Sequence, residues 1–252
     1  MSFFQVNGAR LFGTVGGRGK ESLVCLHGLL IGSSATWFFP GTGILAEQAT
    51  LHCYDLRGHG LSEISHEGYT LASMCTDLGG MMKEWDLEEA SLVGHSFGAL
   101  VALKFACLNP QRVRRLILVD PPYPLSNQTE MQHFLALSPE EMIQALPSVL
   151  KDAIQSGGRQ GRKLLKRLNQ LVQHTTLLQD LEEAGKESFS ELEDLRMPTL
   201  LVTGKDSTCK DGVLELGGRI KGSQISIIEG GHYLPSENAA DLMNTIGAFL
   251  DG

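Results

Sequence analysis

Short, nearly continuous apolar runs recur along the chain and alternate with segments of helical periodicity. The runs predict six strands: Leu23–Leu26, Leu51–Tyr54, Ser91–Val93, Leu116–Val119, Leu200–Val202 and Ile225–Ile228. Continuous hydrophobicity is typical of strands buried on both faces of a parallel sheet. Helical periodicity marks Thr70–Trp85, Phe97–Leu108 and Ala239–Leu250. An Asn7-Gly8 pair between the apolar runs Phe3–Val6 and Ala9–Val15 predicts an N-terminal hairpin. The alternation predicts an α/β protein with right-handed crossovers.

One long segment departs from this alternation. Residues 121–196 carry several helix-type patterns and no convincing strand, and the chain then returns to an apolar run at Leu200–Val202. We therefore expect a single domain over residues 1–252, with an all-helical insertion over 121–196 rather than a second independent domain.

The composition fits a globular protein and excludes several classes. The chain has 252 residues, of which 42% are hydrophobic, so it can bury a large core without metal or disulfide staples. Its 21 Lys+Arg and 29 Asp+Glu give a formal net charge of -8, which argues against a nucleic-acid partner. The five cysteines form no Cys-x-x-Cys pair, so neither a zinc site nor a disulfide framework is predicted. No signal-peptide pattern and no apolar run of roughly 20 residues is present, so we expect a cytoplasmic protein without a stable membrane anchor.

A Gly-x-Ser-x-Gly pattern, Gly94-His95-Ser96-Phe97-Gly98, supplies the candidate nucleophile. It lies between an apolar run and a helical segment, which is the strand–turn–helix context of a nucleophile elbow. Such a turn would lift the Ser96 hydroxyl clear of the sheet, beside the positive end of a helix. Acyl transfer also needs two N–H groups for the oxyanion. We expect those of Phe97 and of Leu29, which follows His27-Gly28 at a strand end.

A serine hydroxyl needs a base, and the base needs an orienting carboxylate. His232 follows the last predicted strand, directly after Gly230-Gly231, and is the expected base. Asp206 follows the Leu200–Val202 strand and is the expected carboxylate, because it gives the chain order Ser96, Asp206, His232. Asp120, which ends an earlier strand, is the alternative.

Five motifs in this order resemble the α/β-hydrolase superfamily. They are His27-Gly28, Asp55-Leu56-Arg57-Gly58-His59-Gly60-Leu61-Ser62, Gly94-His95-Ser96-Phe97-Gly98, Gly204-Lys205-Asp206 and Gly231-His232. The resemblance extends over nearly the whole chain outside the insertion. It implies an α/β-hydrolase fold: a mostly parallel eight-stranded sheet, helices on both faces, and a helical cap formed by 121–196. It also implies that Asp55 and Arg57 hold a loop, and we expect His27 to brace one as well. Some members of the superfamily carry the triad acid at the position of Asp120.

These observations predict a cofactor-independent serine hydrolase, without a metal, that cleaves a carboxylic ester or thioester through an acyl-enzyme. The same triad could cleave a C–C bond, a lactone or an amide, or transfer the acyl group to an acceptor other than water. Two alternatives belong to other classes. A non-catalytic ligand-binding module is compatible with an intact triad, but no sequence feature favours it. The complete motif set argues against an interaction scaffold that has lost turnover. Trp37, Tyr123 and Tyr233 follow the candidate loops and are the expected substrate contacts.

The insertion contains the only dense basic patch of the chain. Arg159, Arg162, Lys163, Lys166 and Arg167 fall on one face of a predicted helix, opposite an apolar face. A solvated face is the simplest interpretation. The sharper hypothesis is that this face docks an anionic group, such as the phosphates of coenzyme A or a carrier-protein arm, and an anionic membrane surface is a third alternative.

Overall fold

The fold comes from a computed structural model that describes residues 1–123, 137–146, 148–156, 158–185 and 189–252. Eight strands form one sheet: β1 Ser2–Val6, β2 Ala9–Gly17, β3 Glu21–Leu26, β4 Ala49–Tyr54, β5 Ala90–His95, β6 Val113–Val119, β7 Thr199–Gly204 and β8 Gln224–Ile228. Their order across the sheet is β1-β2-β4-β3-β5-β6-β7-β8. β2 runs antiparallel to both β1 and β4, and the remaining neighbours are parallel.

The described part of the chain contains helices on both sides of this sheet, numbered here in chain order. They are α1 Ala35–Ile44, α2 Leu71–Glu84, α3 Phe97–Leu108, α4 Pro139–Gln144, α5 Ser148–Ser156, α6 Arg159–Gln173, α7 Leu177–Ala184, α8 Lys210–Arg219, α9 Leu234–Glu237 and α10 Ala239–Asp251. Two short 3-10 helices, Pro110–Arg112 and Ser190–Asp194, precede β6 and β7. Among the described residues, no helix combines the length and the apolar character needed to cross a membrane.

Two hydrophobic clusters hold the helices against the sheet. One cluster joins α2 and α3 to one face, with Leu78 and Leu100 completely buried. The other joins α1 and α10 to the opposite face, with Trp37 and Ile246 buried. Every residue of β5 and β7 is buried, which confirms the prediction of strands covered on both faces.

The prediction of burial on both faces is wrong for β8. This strand pairs only with β7 and lies at the edge of the sheet, so Ile225 and Ile227 are exposed. The predicted hairpin is confirmed: Asn7 and Gly8 have φ values of 47° and 74°, which suit the tight turn that joins β1 and β2. The apolar pattern does not predict α1, because that helix is apolar nearly all round and contains an internal proline.

Helices α4 to α7 lie between β6 and β7, within the predicted insertion 121–196. The described part of that insertion contains these helices and a 3-10 helix, and no strand. Its apolar side chains, including Ile143, Leu168 and Leu171, belong to the same cluster as α2 and α3. The insertion therefore shares a core with the sheet and its helices.

Candidate active site

Ser96 occupies a strained turn between β5 and α3. Its backbone has φ 54° and ψ -124°, a conformation that a residue with a side chain adopts only when its surroundings impose it. Small residues permit the turn: a Cβ added at Gly94 would lie 2.3 Å from the carbonyl oxygen of Gly98, and one at Gly98 would lie 2.5 Å from that of His27. The backbone N–H of Ser96 donates to the Val119 carbonyl at 2.9 Å. The sharp strand-to-helix turn expected of a nucleophile elbow is therefore present.

His232 lies in the loop between β8 and α9, and its two ring nitrogens face Ser96 and Asp120. Its Nε2 is 3.0 Å from Ser96 Oγ, and its Nδ1 is 2.6 Å from Asp120 Oδ2. A carboxylate only accepts, so Nδ1 carries the proton and Nε2 is free to accept the serine proton. Ser96, His232 and Asp120 thus form a continuous hydrogen-bonded chain.

The prediction of Asp206 as the carboxylate is wrong. The Asp206 side chain is exposed, and its backbone N–H donates to the Gly230 carbonyl at 3.1 Å. The sheet explains the difference. β6 lies beside β5 with His95 paired to Val119, so the next residues, Ser96 and Asp120, emerge level at the same edge. β7, which Asp206 follows, is one strand further from Ser96. The sequence does not give the strand order, so it cannot show that Asp120 lies closer to Ser96 than Asp206 does.

The end of β7 and the loop after it contribute hydroxyl groups to the site instead of a carboxylate. Thr203 Oγ1 donates to Asp120 Oδ1 at 2.6 Å, and Ser207 Oγ donates to Oδ2. Asp120 is fully buried, so these bonds replace the water that an ionised carboxylate would otherwise need. Burial by itself lowers the pKa of His232, but the hydrogen bond to Asp120 and the contact with Cys209 outweigh it and raise that pKa. The site therefore favours the imidazolium form that His232 takes when it receives a proton.

The candidate oxyanion loop lies directly against the nucleophile. A Cβ added at Gly28 would be 3.2 Å from Ser96 Cβ, so a larger residue here would crowd the serine. Within the described residues, the backbone N–H groups of Leu29 and Phe97 have no hydrogen-bond acceptor. Phe97 directly follows Ser96 in the chain, Leu29 directly follows Gly28, and both amides remain free for a ligand oxygen.

Two neutral histidines clamp the oxyanion loop to the loop after β4. His27 Nδ1 donates to the Gly28 carbonyl at 2.7 Å, and its Nε2 accepts from the Leu56 N–H at 2.9 Å. Reciprocally, His59 Nε2 accepts from the Leu30 N–H at 2.8 Å. Burial lowers the pKa of His27 to about 4 and that of His59 to about 3, so both are uncharged near neutral pH. The expected bracing role of His27 is confirmed.

Asp55 and Arg57 are structural, as the resemblance implies. The Asp55 carboxylate accepts from the backbone N–H groups of Ser34 and Leu61, each at 2.6 Å. The Arg57 guanidinium makes a two-pronged contact with Asp77 of α2, at 2.8 and 3.0 Å. These buried charges tie the loop after β4 to α1 and α2, and neither faces Ser96.

His95 is a positioning residue that the sequence patterns do not single out. Its Nε2 donates to the backbone carbonyl of His232 at 2.7 Å, which holds the loop that carries the base. Burial lowers the pKa of His95 to about 4, so the ring is a neutral donor. Its position directly before Ser96 could have drawn attention to it in the sequence. Only the fold reveals that it contacts the His232 carbonyl.

The three predicted substrate contacts have different surroundings. Trp37 is buried in the cluster on the α1 face, and its Nε1 donates to the Leu26 carbonyl at 2.9 Å, so that prediction is wrong. Tyr123 is half-buried, and its hydroxyl accepts from Arg219, which directs the side chain toward α8 rather than Ser96. The half-buried Tyr233 stacks edge-on against His232, with ring centres 5.2 Å apart, and is the one of the three that adjoins the candidate triad.

The basic face of α6 divides into two parts. The Arg167 guanidinium donates to the backbone carbonyls of His59 and Ser62, so this side chain joins the helical insertion to the loop after β4. The other four side chains, Arg159, Arg162, Lys163 and Lys166, are exposed and form no ion pair with any described residue. Only those four remain available to an anionic partner.

The described residues also bring three metal-binding side chains together. Asp120, Cys209 and His232 each place one donor atom within 4.8 Å of the other two. Cys209 Sγ is 3.5 Å from His232 Nδ1. The cluster draws on three distant segments of the chain, and no spacing motif in the sequence indicates it.

Comparisons with known proteins agree with this architecture. A curated relative from Cupriavidus necator, the dihydrolipoyllysine-residue acetyltransferase component of an acetoin cleaving system, is 38% identical over 119 residues, covering 47% of this chain and 31% of that protein. The chain spans about a third of the length of the first curated relatives it matches.

Solved structures match the whole chain at low identity. The enol-lactonase of Burkholderia xenovorans matches with a TM-score of 0.76 and 21% identity, covering 100% of both chains. An esterase from Exiguobacterium antarcticum matches with a TM-score of 0.76 and 21% identity, covering 100% of this chain and 99% of that one. At such identity the likeness shows a shared fold. A family model for the alpha/beta hydrolase fold matches residues 21–151, and with the sheet order and the nucleophile turn in place, the chain belongs to the α/β-hydrolase family.

Proposed function

We propose that the chain is a serine hydrolase that cleaves a carboxylic ester or thioester through an acyl-enzyme. The observation that carries the proposal is the hydrogen-bonded chain from Ser96 Oγ through His232 to Asp120, with separations of 3.0 and 2.6 Å. A nucleophile, a base with its accepting nitrogen toward the nucleophile, and a buried orienting carboxylate are the parts that acyl transfer requires.

The proposed reaction follows from these positions. His232 Nε2 takes the Ser96 proton as Oγ attacks the carbonyl carbon, and Asp120 stabilises the resulting imidazolium. The N–H groups of Leu29 and Phe97 hold the oxyanion, a contribution of about 10²–10³ in rate for each donor. His232 then protonates the leaving alcohol or thiol, and the acyl group remains on Ser96. A water deprotonated by His232 releases the acid and regenerates the hydroxyl.

A fluorophosphonate probe tests the activated serine without knowledge of the substrate. The wild-type chain should be labelled, and Ser96→Ala should not. Ser236→Ala removes an exposed serine of α9 close to the site and serves as the matched control, which should label like the wild type. Labelling of Ser96→Ala would assign the reactivity to another residue, and labelling of neither protein would favour a ligand-binding module or scaffold.

A substrate panel then separates the reaction classes. p-Nitrophenyl esters, acyl-coenzyme A thioesters and lactones all present a carbonyl to the same triad. The names of the two structural neighbours, an esterase and an enol-lactonase, place esters and lactones first in the panel. The ratio of kcat/KM between these classes, each compared with Ser96→Ala, identifies the preferred leaving group.

For the thioester class, the exposed part of the α6 face is the proposed docking surface for an anionic coenzyme A or carrier-protein arm. Arg162 also lines a mostly apolar cleft of about 200 Å³ between α4, α5 and α6. Arg162→Glu combined with Lys163→Glu should raise KM for an acyl-coenzyme A but leave KM for a neutral p-nitrophenyl ester unchanged. Equal effects on both substrates would refute the docking. Arg167 is unsuitable for this test because it holds the insertion in place.

A further inference from the structure

We propose that Asp120, Cys209 and His232 form a binding site for a thiophilic divalent cation, with Zn²⁺ as the physiological example, and that occupancy shuts the candidate active site. Carboxylate oxygen, thiolate sulfur and imidazole nitrogen are the three ligand types that Zn²⁺ prefers. Their donor atoms lie within 4.8 Å of one another here. The proposal that a cation binds does not depend on the proposed hydrolase function. The proposal that the cation inhibits does depend on that function.

The distances suit a tetrahedral ion with little movement. Zn–S and Zn–N bonds of about 2.3 and 2.0 Å at a tetrahedral angle place sulfur and nitrogen about 3.5 Å apart. The observed separation of Cys209 Sγ and His232 Nδ1 is 3.5 Å. The same calculation requires about 3.3 Å between nitrogen and oxygen. Asp120 Oδ2 and His232 Nδ1 are 2.6 Å apart, so an ion must spread this pair, and the Cys209 and Asp120 donor atoms lie within 4.8 Å of each other.

The site has an entrance as well as ligands. Asp120 is fully buried, but Cys209 and His232 are half-buried, and Cys209 immediately precedes α8. An ion can therefore approach from the Cys209 side and take a water as its fourth ligand. The Cys209 backbone N–H donates to Ser207 Oγ, and Ser207 Oγ donates to Asp120, so two of the ligands are already held together.

Occupancy would remove the base. A cation on Nδ1 uses the lone pair of that nitrogen, so the imidazole proton now on Nδ1 moves to Nε2, and the Cys209 thiol releases one proton to solvent. Nε2–H can only donate, and it can no longer accept the proton of the Ser96 hydroxyl. The cation also replaces the hydrogen bond between His232 and Asp120, which orients the ring.

Direct binding is tested with Cd²⁺, whose thiolate complexes absorb in the near ultraviolet. The wild type should bind one Cd²⁺ per chain with a thiolate-to-metal band, and Zn²⁺ should displace it in a calorimetric competition. Cys209→Ser should abolish the band and weaken binding by more than about 10–100-fold, the range that follows loss of an outer-shell partner, because it removes a ligand itself. Cys107→Ser is the matched control, because Cys107 is the other half-buried cysteine of the described residues. A band that survives in Cys209→Ser, or no band in the wild type at millimolar Cd²⁺, would overturn the site.

The inhibition is measured on ester turnover, with each variant normalised to its own rate without metal. Zn²⁺ should inhibit the wild type and Cys107→Ser alike, and Cys209→Ser should need at least tenfold more Zn²⁺. If Zn²⁺ binds at Cys209 and ester turnover is unchanged, the proposal that the cation inhibits the enzyme is wrong. A wild type that binds Cd²⁺ but reacts with no fluorophosphonate would count against the hydrolase function and leave the cation site standing.

Discussion

Replacement of Asp120 by asparagine should cost nearly all turnover. The buried carboxylate accepts from His232 Nδ1 and Thr203 Oγ1, each at 2.6 Å, and from Ser207. An asparagine has one oxygen, and the two hydroxyl groups compete with the imidazole for it. If the amide NH₂ faces Nδ1, the ring takes the tautomer with the proton on Nε2, which cannot accept from Ser96. Loss of orientation and of charge together should lower kcat by about 10⁴-fold. That factor corresponds to about 5 kcal/mol of transition-state stabilisation.

Asp206→Asn is the matched control, because Asp206 is the exposed carboxylate that the sequence motifs favour. Its kcat should stay within about twofold of wild type, since exposed groups away from the site contribute little. Both variants are assayed with the best p-nitrophenyl ester of the panel, and by the rate of fluorophosphonate labelling. Circular dichroism confirms that each variant is folded. A loss in Asp206→Asn as large as that in Asp120→Asn would refute the assignment.

Three further changes test the surroundings of the site. The folded-state pKa of His59 is about 3 against 6.5 for a free histidine, so the unfolded chain takes the proton first as pH falls from 6.5 toward 3. The free energy of unfolding should therefore fall over that range, by on the order of 4 kcal/mol for this residue. In urea titrations at several pH values, His59→Gln should flatten this dependence while the exposed His66→Gln leaves it unchanged; equal slopes would contradict the argument. Gly98→Ala should destabilise the fold by about 1–3 kcal/mol, because its Cβ would lie 2.5 Å from a backbone oxygen. Gly43→Ala, where nothing lies within 4 Å, should be neutral or stabilising in the same thermal melts. Arg167→Met should lower Tm by loosening the insertion, and an unchanged Tm would show that its hydrogen bonds to the loop carry no stability.

Local patterns predict the elements of this protein well, because each element is coded by nearby residues. The Phe97–Leu108 helix has the predicted bounds, and the hairpin turn falls at Asn7-Gly8. Ser96 and His232 also follow from local context: Ser96 directly follows β5 between two nearby glycines, and His232 follows Gly230-Gly231 in the loop after β8. Trp37 shows the limit of such reasoning. An aromatic residue after a site loop could point to the site or to the core. Trp37 lies on α1, and its side chain packs into the hydrophobic cluster between α1, α10 and the sheet.

The sequence by itself determined the class of fold, the candidate nucleophile and the candidate base, because these depend on periodicity and on turns of a few residues. Only the tertiary structure decided which carboxylate lies against His232. Asp120 and Asp206 both follow strands, and their distance along the chain says nothing of their distance from Ser96. The order β5-β6-β7 and the pairing of His95 with Val119 bring Asp120 level with the nucleophile. The same packing places Cys209 against His232 and His95 beneath its carbonyl, contacts between segments that are far apart in sequence.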